Sequence, residues 1–230
     1  LGTGEEGFPE LSEMLARFAS PLQNRPACSG PVAWKDWPTA EADIARAKSV
    51  LTGAGTEEAF MTSPSPGQIA RYLTNLHYPT EEGYIFALAD VMRREYEAIV
   101  DAGLILQLDC PDLALSRHML FGDLTDAEFL KVAAGHVEAL NHALTEVPQD
   151  RVRVHICWGN YEGPHDRDIP LASIAAVLCR ARPQVISFEA ANPRHAHEWK
   201  VWGEIDLPAD KVLMPGVIDT STNYVEHPEY

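Results

Sequence analysis

The stretch 152–160, Val-Arg-Val-His-Ile-Cys-Trp-Gly-Asn, holds the residues best suited to chemistry. Val152, Val154 and Ile156 are β-branched and favour a strand, which Gly159-Asn160 ends with turn residues. Side chains two apart on a strand share a face. His155 and Cys157 therefore project side by side near its C-terminal end. An imidazole beside a thiol suits a borderline-soft divalent ion such as zinc. Taken alone, the pair reads rather as two core residues, because cysteine is often simply buried. Carboxylates close other apolar runs in the same manner. Asp109 ends Leu104–Asp109, Glu189 falls near the end of 184–190, and Asp219 ends 211–219.

Strand-end side chains need a scaffold that brings strand ends together. Thr39 predicts a helix start over Ala40–Leu51, with Glu41 in the first turn and Gly53 and Gly55 after the end. Glu58–Ser63 reads as a strand running into the tight loop Pro64-Ser65-Pro66-Gly67, then a helical piece through Leu73. Thr80 caps a long helix to about Asp101, with Ile85, Leu88, Ala89, Met92, Tyr96 and Ile99 at helical spacing. Leu104–Asp109 is nearly continuously apolar, as in a buried parallel strand. A helix from Thr125 to about Glu146, strand 152–158, helix 170–181 with Pro170 in its first turn, strand 184–190 and strand 211–219 follow. A short amphipathic helix is expected at 11–18, and the opening resembles a segment from inside a longer chain.

Strand and helix alternate throughout, which means parallel strands joined by right-handed crossovers. There is no Gly-x-Gly-x-x-Gly, no Walker-type loop and no Gly-x-Ser-x-Gly elbow, so no dinucleotide, phosphate or hydrolase motif competes. The polar groups sit instead at strand C-terminal ends, one set per strand: Ser63/Ser65, Asp109, His155/Cys157, Glu189, Asp219. A (β/α)₈ barrel builds its active site there. Five clear barrel strands are present in 230 residues, where such barrels need about 250. The fold expected is an α/β (β/α)₈ TIM barrel, a single catalytic domain over 1–230, with the first strands and the last one outside it.

The hydrophobic fraction of 46% and charged fraction of 23% are those of a core-forming protein. A net charge of −16 argues against nucleic acid or an anionic membrane surface as partner. No apolar run approaches membrane-helix length and no signal peptide is visible. Four scattered cysteines do not form a disulfide framework, which points to a reducing, cytoplasmic setting.

His155-x-Cys157, Ser187-Phe188-Glu189, Leu106-Gln107-Leu108-Asp109-Cys110-Pro111 and Met214-Pro215-Gly216-Val217, in this order and spacing, resemble the catalytic barrel of the cobalamin-independent methionine synthases. The resemblance covers about residues 26–230. It is closest to the single-barrel branch, which includes epoxyalkane:coenzyme M transferase-like proteins. It implies one zinc ion, with His155, Cys157 and Glu189 as three of its four ligands. The fourth, a second cysteine, has no counterpart before Tyr230; Cys110 is the nearest candidate and sits on a different strand. The implied activity is zinc-dependent activation of a small thiol for methyl or alkyl transfer, as in methionine biosynthesis. Cys157 and His155 are expected to hold the ion permanently and Glu189 to be displaceable. Folate is among the candidate alkyl donors, and a homo-oligomer is left open. Asp109 would orient a cationic group of a substrate, while Trp158, Asn160, Ser65 and Asp219 are the expected substrate contacts. His195 and His197 are read as supporting or solvated loop residues.

Two positions depart from the methionine synthase pattern. Leu115 stands where those enzymes carry a Glu for the homocysteine amine. Asp219-Thr220-Ser221-Thr222 stands where they carry a proton-donating His. An epoxide:thiol transferase, a decarboxylase on a related barrel, and a metal-free homologue with only a binding role are the alternatives.

Overall fold

The structure is a computed structural model, and it describes residues 9, 10, 13, 26–160, 165–219, 221–225 and 227–229. Its centre is a five-stranded, wholly parallel sheet: β2 (Phe60–Pro64), β4 (Ile105–Asp109), β5 (Val152–His155), β6 (Val185–Glu189) and β7 (Val212–Gly216), side by side in chain order. A two-stranded parallel pair, β1 (Ala27–Cys28) with β3 (Thr74–Asn75), stands apart from it. The helices are α1 (Trp37–Leu51), α2 (Pro66–Tyr72), α3 (Glu81–Asp101), α4 (Leu115–Met119), α5 (Asp126–Ala143) and α6 (Leu171–Leu178). Among the described residues the ladder ends at β2 on one side and β7 on the other. The architecture is α/β with parallel strands and crossover helices, and five strands of the expected barrel sheet are seen among the described residues. No described helix is long and apolar enough to cross a membrane.

Strand periodicity sorts the side chains onto two faces. Leu106, Leu108, Val152, Val154, Ile156, Ile186 and Phe188 are buried against the helices, with Ala89, Tyr96, Ile99, Phe129, Val137, Leu140 and Ile174 opposite them. The intervening residues point to the other face. The register sets Pro64, Asp109, His155, Ser187 and Met214 in one row across that face. The apolar sum of the first set forces the polar set outward together, because a one-residue slip would exchange the two faces.

Helix ends follow local chemistry. Thr80 and Thr125 cap α3 and α5 as expected, the latter in a reciprocal capping box with Glu128. Helix α1 is different: Asp36, not Thr39, is the cap, and its carboxylate accepts from the Thr39 backbone and hydroxyl. A carboxylate at the cap position also faces the positive helix end, which favours it over a hydroxyl three positions inside. Strand β5 stops at His155, three residues short of the expected 158; one further bond, Ile156 N–H to Ser187 O, extends the pairing. Helix α6 is shorter than 170–181 at both ends. The helix expected at 11–18 falls almost wholly outside the described residues.

A buried polar trio locks α2 to the loop after β4. Ser65 Oγ donates to Asp112 Oδ1 at 2.6 Å, and His136 Nδ1 of α5 meets Asp112 Oδ2 at 2.9 Å. Gly67 passes so close that a Cβ there would overlap the Asp112 carboxylate and the His136 ring. Gly67→Ala is therefore expected to lower stability by about 2–4 kcal/mol, because it displaces a buried carboxyl group with both oxygens hydrogen-bonded. Urea unfolding of the two proteins checks this; equal midpoints would show that the trio yields freely.

Candidate active site

A cleft of about 410 Å³ opens at the C-terminal ends of β4 to β7. Asp109, His155, Cys157, Asn160, Glu189 and Asp219 all line it. Each arrives by a separate local route. Asp109 is the last residue of β4 and is the register partner of His155. Cys157 lies just beyond β5, where the Gly159 N–H donates to its Sγ at 3.2 Å. Gly159 adopts φ +91, a left-handed conformation that turns the chain sharply after the thiol. Glu189 ends β6 beside Gly216. Asp219 accepts from the Ser221 N–H through Oδ1.

Two expected contacts lie elsewhere. Trp158 is 1% exposed and does not line the cleft. Its Nε1–H donates to Ile169 O, and its ring packs on His195 at 4.6 Å. Ser65 is equally buried and is engaged with Asp112 and the Gln68 backbone. Strand alternation accounts for Trp158: residues 156 and 158 face the helices when 155 and 157 face the cleft.

Burial dominates the electrostatics. It raises the Asp109 carboxyl, with the His155 charge pulling the other way. It lowers His155, against the pull of Asp109. It pushes the Cys157 thiol up to about 11; the Gly159 N–H opposes this, and Glu189 and Asp109 add to it. It raises Glu189, against the positive charges of His195 and Arg194. In this state the thiol is neutral, so neighbouring carboxylates alone do not make it a nucleophile.

Behind Glu189 runs a second polar network. His195 Nδ1 meets Glu198 Oε2 at 2.8 Å and its Nε2 meets Asp168 Oδ2 at 3.2 Å, while His165 Nδ1 meets the same Asp168 oxygen at 2.9 Å. Glu198 also accepts from the Leu171 N–H, and Arg194 donates to Gly159 O. These bonds tie the loop after β5 to the loop after β6. Sequence reading placed His195 as a supporting or solvated residue; at 6% exposure it is the bridge of a buried network. The spacing His195–Glu198 is a weak local signal, but Asp168 is distant in sequence and gave none.

The donor set in the cleft suits a borderline-soft cation: a sulfur, an imidazole and a carboxylate. Glu189 Oε2 is buried and has no hydrogen-bond partner among the described residues, as expected of an oxygen kept for a cation or ligand. As they stand, no three His, Cys, Asp or Glu side chains among the described residues are gathered closely enough to hold one metal ion. A hollow of about 260 Å³ between α3 and α5 is lined by Ile85, Phe86 and Val132 together with Glu81, Glu82, His136 and Glu138.

Successive parallel strands, crossover helices and a polar cleft at the strand C-termini define the class: an α/β protein of barrel type with a strand-end site. A methionine synthase of Saccharolobus islandicus (strain L.S.2.15 / Lassen #1) is 28% identical over 177 residues, 76% of this chain and 45% of its own. One from Saccharolobus solfataricus matches at the same identity and coverage. The solved B12-independent methionine synthase from Shewanella sp. W3-18-1, in complex with selenomethionine, superposes with a TM-score of 0.60 at 20% identity, over 80% of this chain and 51% of that one. No protein-family model matches. The chain is thus similar to methionine synthases in sequence and, over most of its length, to a B12-independent methionine synthase in fold. It spans about half the length of the curated relatives it matches.

Proposed function

We propose that this chain carries a methionine synthase-like transferase site in which zinc, held by His155, Cys157 and Glu189, prepares a small thiol for alkylation. The observation that supports the reading is that those three donors line one cleft, with a Glu189 oxygen that has no hydrogen-bond partner among the described residues. When bound, the ion would lower the pKa of a substrate thiol so that thiolate exists at neutral pH. The thiolate sulfur then forms a bond to the alkyl carbon, and the bond from that carbon to its leaving group breaks.

The chain's own groups have separable tasks. Asp109, half-buried beside His155, orients a cationic group of the substrate. Asn160 is exposed at the rim and hydrogen-bonds a polar substrate group. Asp219 holds the opposite wall through its bond to Ser221. The complex of the Shewanella protein with selenomethionine supports a small sulfur- or selenium-bearing ligand for this fold.

One observation favours an acceptor other than homocysteine. Leu115, which stands where the methionine synthases carry an amine-binding Glu, presses on Gly159 beside the thiol, and its N–H donates to Cys157 O. An apolar side chain at this position cannot supply the carboxylate that would bind an amine. Epoxide:thiol transfer is therefore the second reading.

Zinc analysis of protein expressed with added zinc tests the proposal, with about one equivalent expected. Less than about a tenth of an equivalent would leave only a binding role. Turnover of homocysteine with methylfolate, set against other thiols with epoxides, then separates the two readings.

A further inference from the structure

The hollow between α3 and α5 shares no lining residue with the strand-end cleft. Two helical stripes face each other across it. Glu82, Ile85 and Phe86 stand three and four apart on α3; Val132, Gly135 and His136 stand three and four apart on α5. Gly135 adds room, since a Cβ built there would meet nothing within 4 Å. At about 260 Å³ the space falls just below the range of drug-sized ligand sites and suits a fragment-sized molecule.

One hydrogen-bonding group stands in this wall in a fixed state. The His136 side chain is 17% exposed, and its Nδ1 is committed to Asp112 Oδ2 at 2.9 Å. Asp112 is 2% exposed and takes the Ser65 hydroxyl on its other oxygen. An ionised carboxylate has no proton to give, so Nδ1 carries the hydrogen and the neutral ring keeps a lone pair on Nε2. That nitrogen bonds to no described residue. Ser65 and Asp112 would lock α2 to the loop after β4 without it. What the histidine adds is an acceptor of set tautomer and orientation at the edge of an apolar space.

Charge around the opening selects what that acceptor meets. Glu81, Glu82 and Glu138 stand there against a single Lys131. Glu81 takes the Asn75 amide at 3.1 Å and Glu138 pairs with Arg180 at 2.9 Å, while Glu82 makes no hydrogen bond or ion pair among the described residues. The local field attracts cations and repels anions.

We propose that this hollow binds a small primary amine with a hydrocarbon body. The ammonium N–H donates to His136 Nε2, its charge lies toward Glu82, and the body covers Ile85, Phe86 and Val132. A neutral alcohol of the same shape keeps the hydrogen bond and loses the charge; a carboxylate loses both. The assignment is independent of the zinc and thiol readings, because no group of the cleft takes part.

Amide-shift titrations by NMR test it with three probes: 2-phenylethylamine, 2-phenylethanol and 3-phenylpropionate. The amine is expected to bind at least about 10-fold tighter than the alcohol, with shifts at Ile85, Phe86 and Val132, and the acid to give no saturable shift. Gly135→Leu fills the space without touching the Asp112–His136 pair or the cleft, and should abolish binding. Glu82→Gln should cost the amine about 3-fold and leave the alcohol unchanged. His136→Gln should cost the amine at least about 10-fold. Unchanged thermal midpoints will show which variants fold; should His136→Gln unfold, the other two still decide. Equal affinity for the three probes, no saturable shift with the amine, shifts confined to cleft residues, or amine binding that survives Gly135→Leu overturns the assignment.

Discussion

A Cys157→Ser protein from zinc-supplemented expression is expected to hold less than about a tenth of the zinc of the parent, with transfer activity lost in proportion. A serine hydroxyl is a hard, neutral donor in place of a soft, anionic one. The site would keep an imidazole and a carboxylate, a pair too weak to retain the ion through purification. Glu189→Gln should be milder, a loss of about 10-fold in affinity, because an amide oxygen still coordinates but carries no charge. Cys179→Ser supplies the control: this thiol is half-buried and does not line the cleft, so zinc content should not change. If Cys157→Ser and Cys179→Ser lose zinc alike, the metal is held by thiols at large and the site has been misplaced. Full retention by Cys157→Ser would remove the thiol from the ligand set altogether.

The second large effect is on stability and concerns His195. Burial disfavours its charge, but hydrogen bonds to Asp168 and Glu198 outweigh burial and lift it to about 9, from an ordinary 6.5. A group with a raised folded-state pKa stabilises fully below its unfolded value and loses that contribution as pH rises through the folded one. The window is therefore pH 6.5 to about 9. At 1.36 kcal/mol per unit the contribution is about 3 kcal/mol, and little is lost to solvent screening because the ring is 6% exposed. Asp168 shifts the opposite way: its two histidine partners, working against burial, hold it below the usual carboxylate range. Its contribution is present above its unfolded pKa and disappears as pH falls through the depressed value. Urea unfolding across pH 6 to 9.5 should show the decline in the parent and a flat profile in His195→Gln. An identical slope in the variant would place the charge elsewhere. Because this network ties the loops flanking the cleft, the same variant should also weaken substrate binding.

Fold class was readable for a simple reason. Leu104–Asp109 and Val152–Ile156 carry the apolar density of strands buried in a parallel sheet, and α3 and α5 carry helical spacing with Thr caps, all of it local information. The alternation that made His155 and Cys157 neighbours is also local, and both line the cleft. The same alternation, carried one residue further, sends Trp158 to the helices, although its proximity in sequence suggested a substrate contact. Strand order could be inferred from crossover rules, and the register then put Asp109 beside His155. Registers depend on the packing of whole faces, so sequence could suggest this pairing but not fix it.

The sequence by itself determined which residues could do chemistry and that they fall at strand C-termini, because residue type and period-two spacing are properties of short segments. Only the tertiary structure decided which groups surround them. The bridge from His195 to Asp168 joins two separate loops, and the bonds from Asp112 to Ser65 and His136 join segments far apart in sequence. Burial is set by the sum of all neighbours, and it is burial that makes a doubly bonded imidazole meaningful.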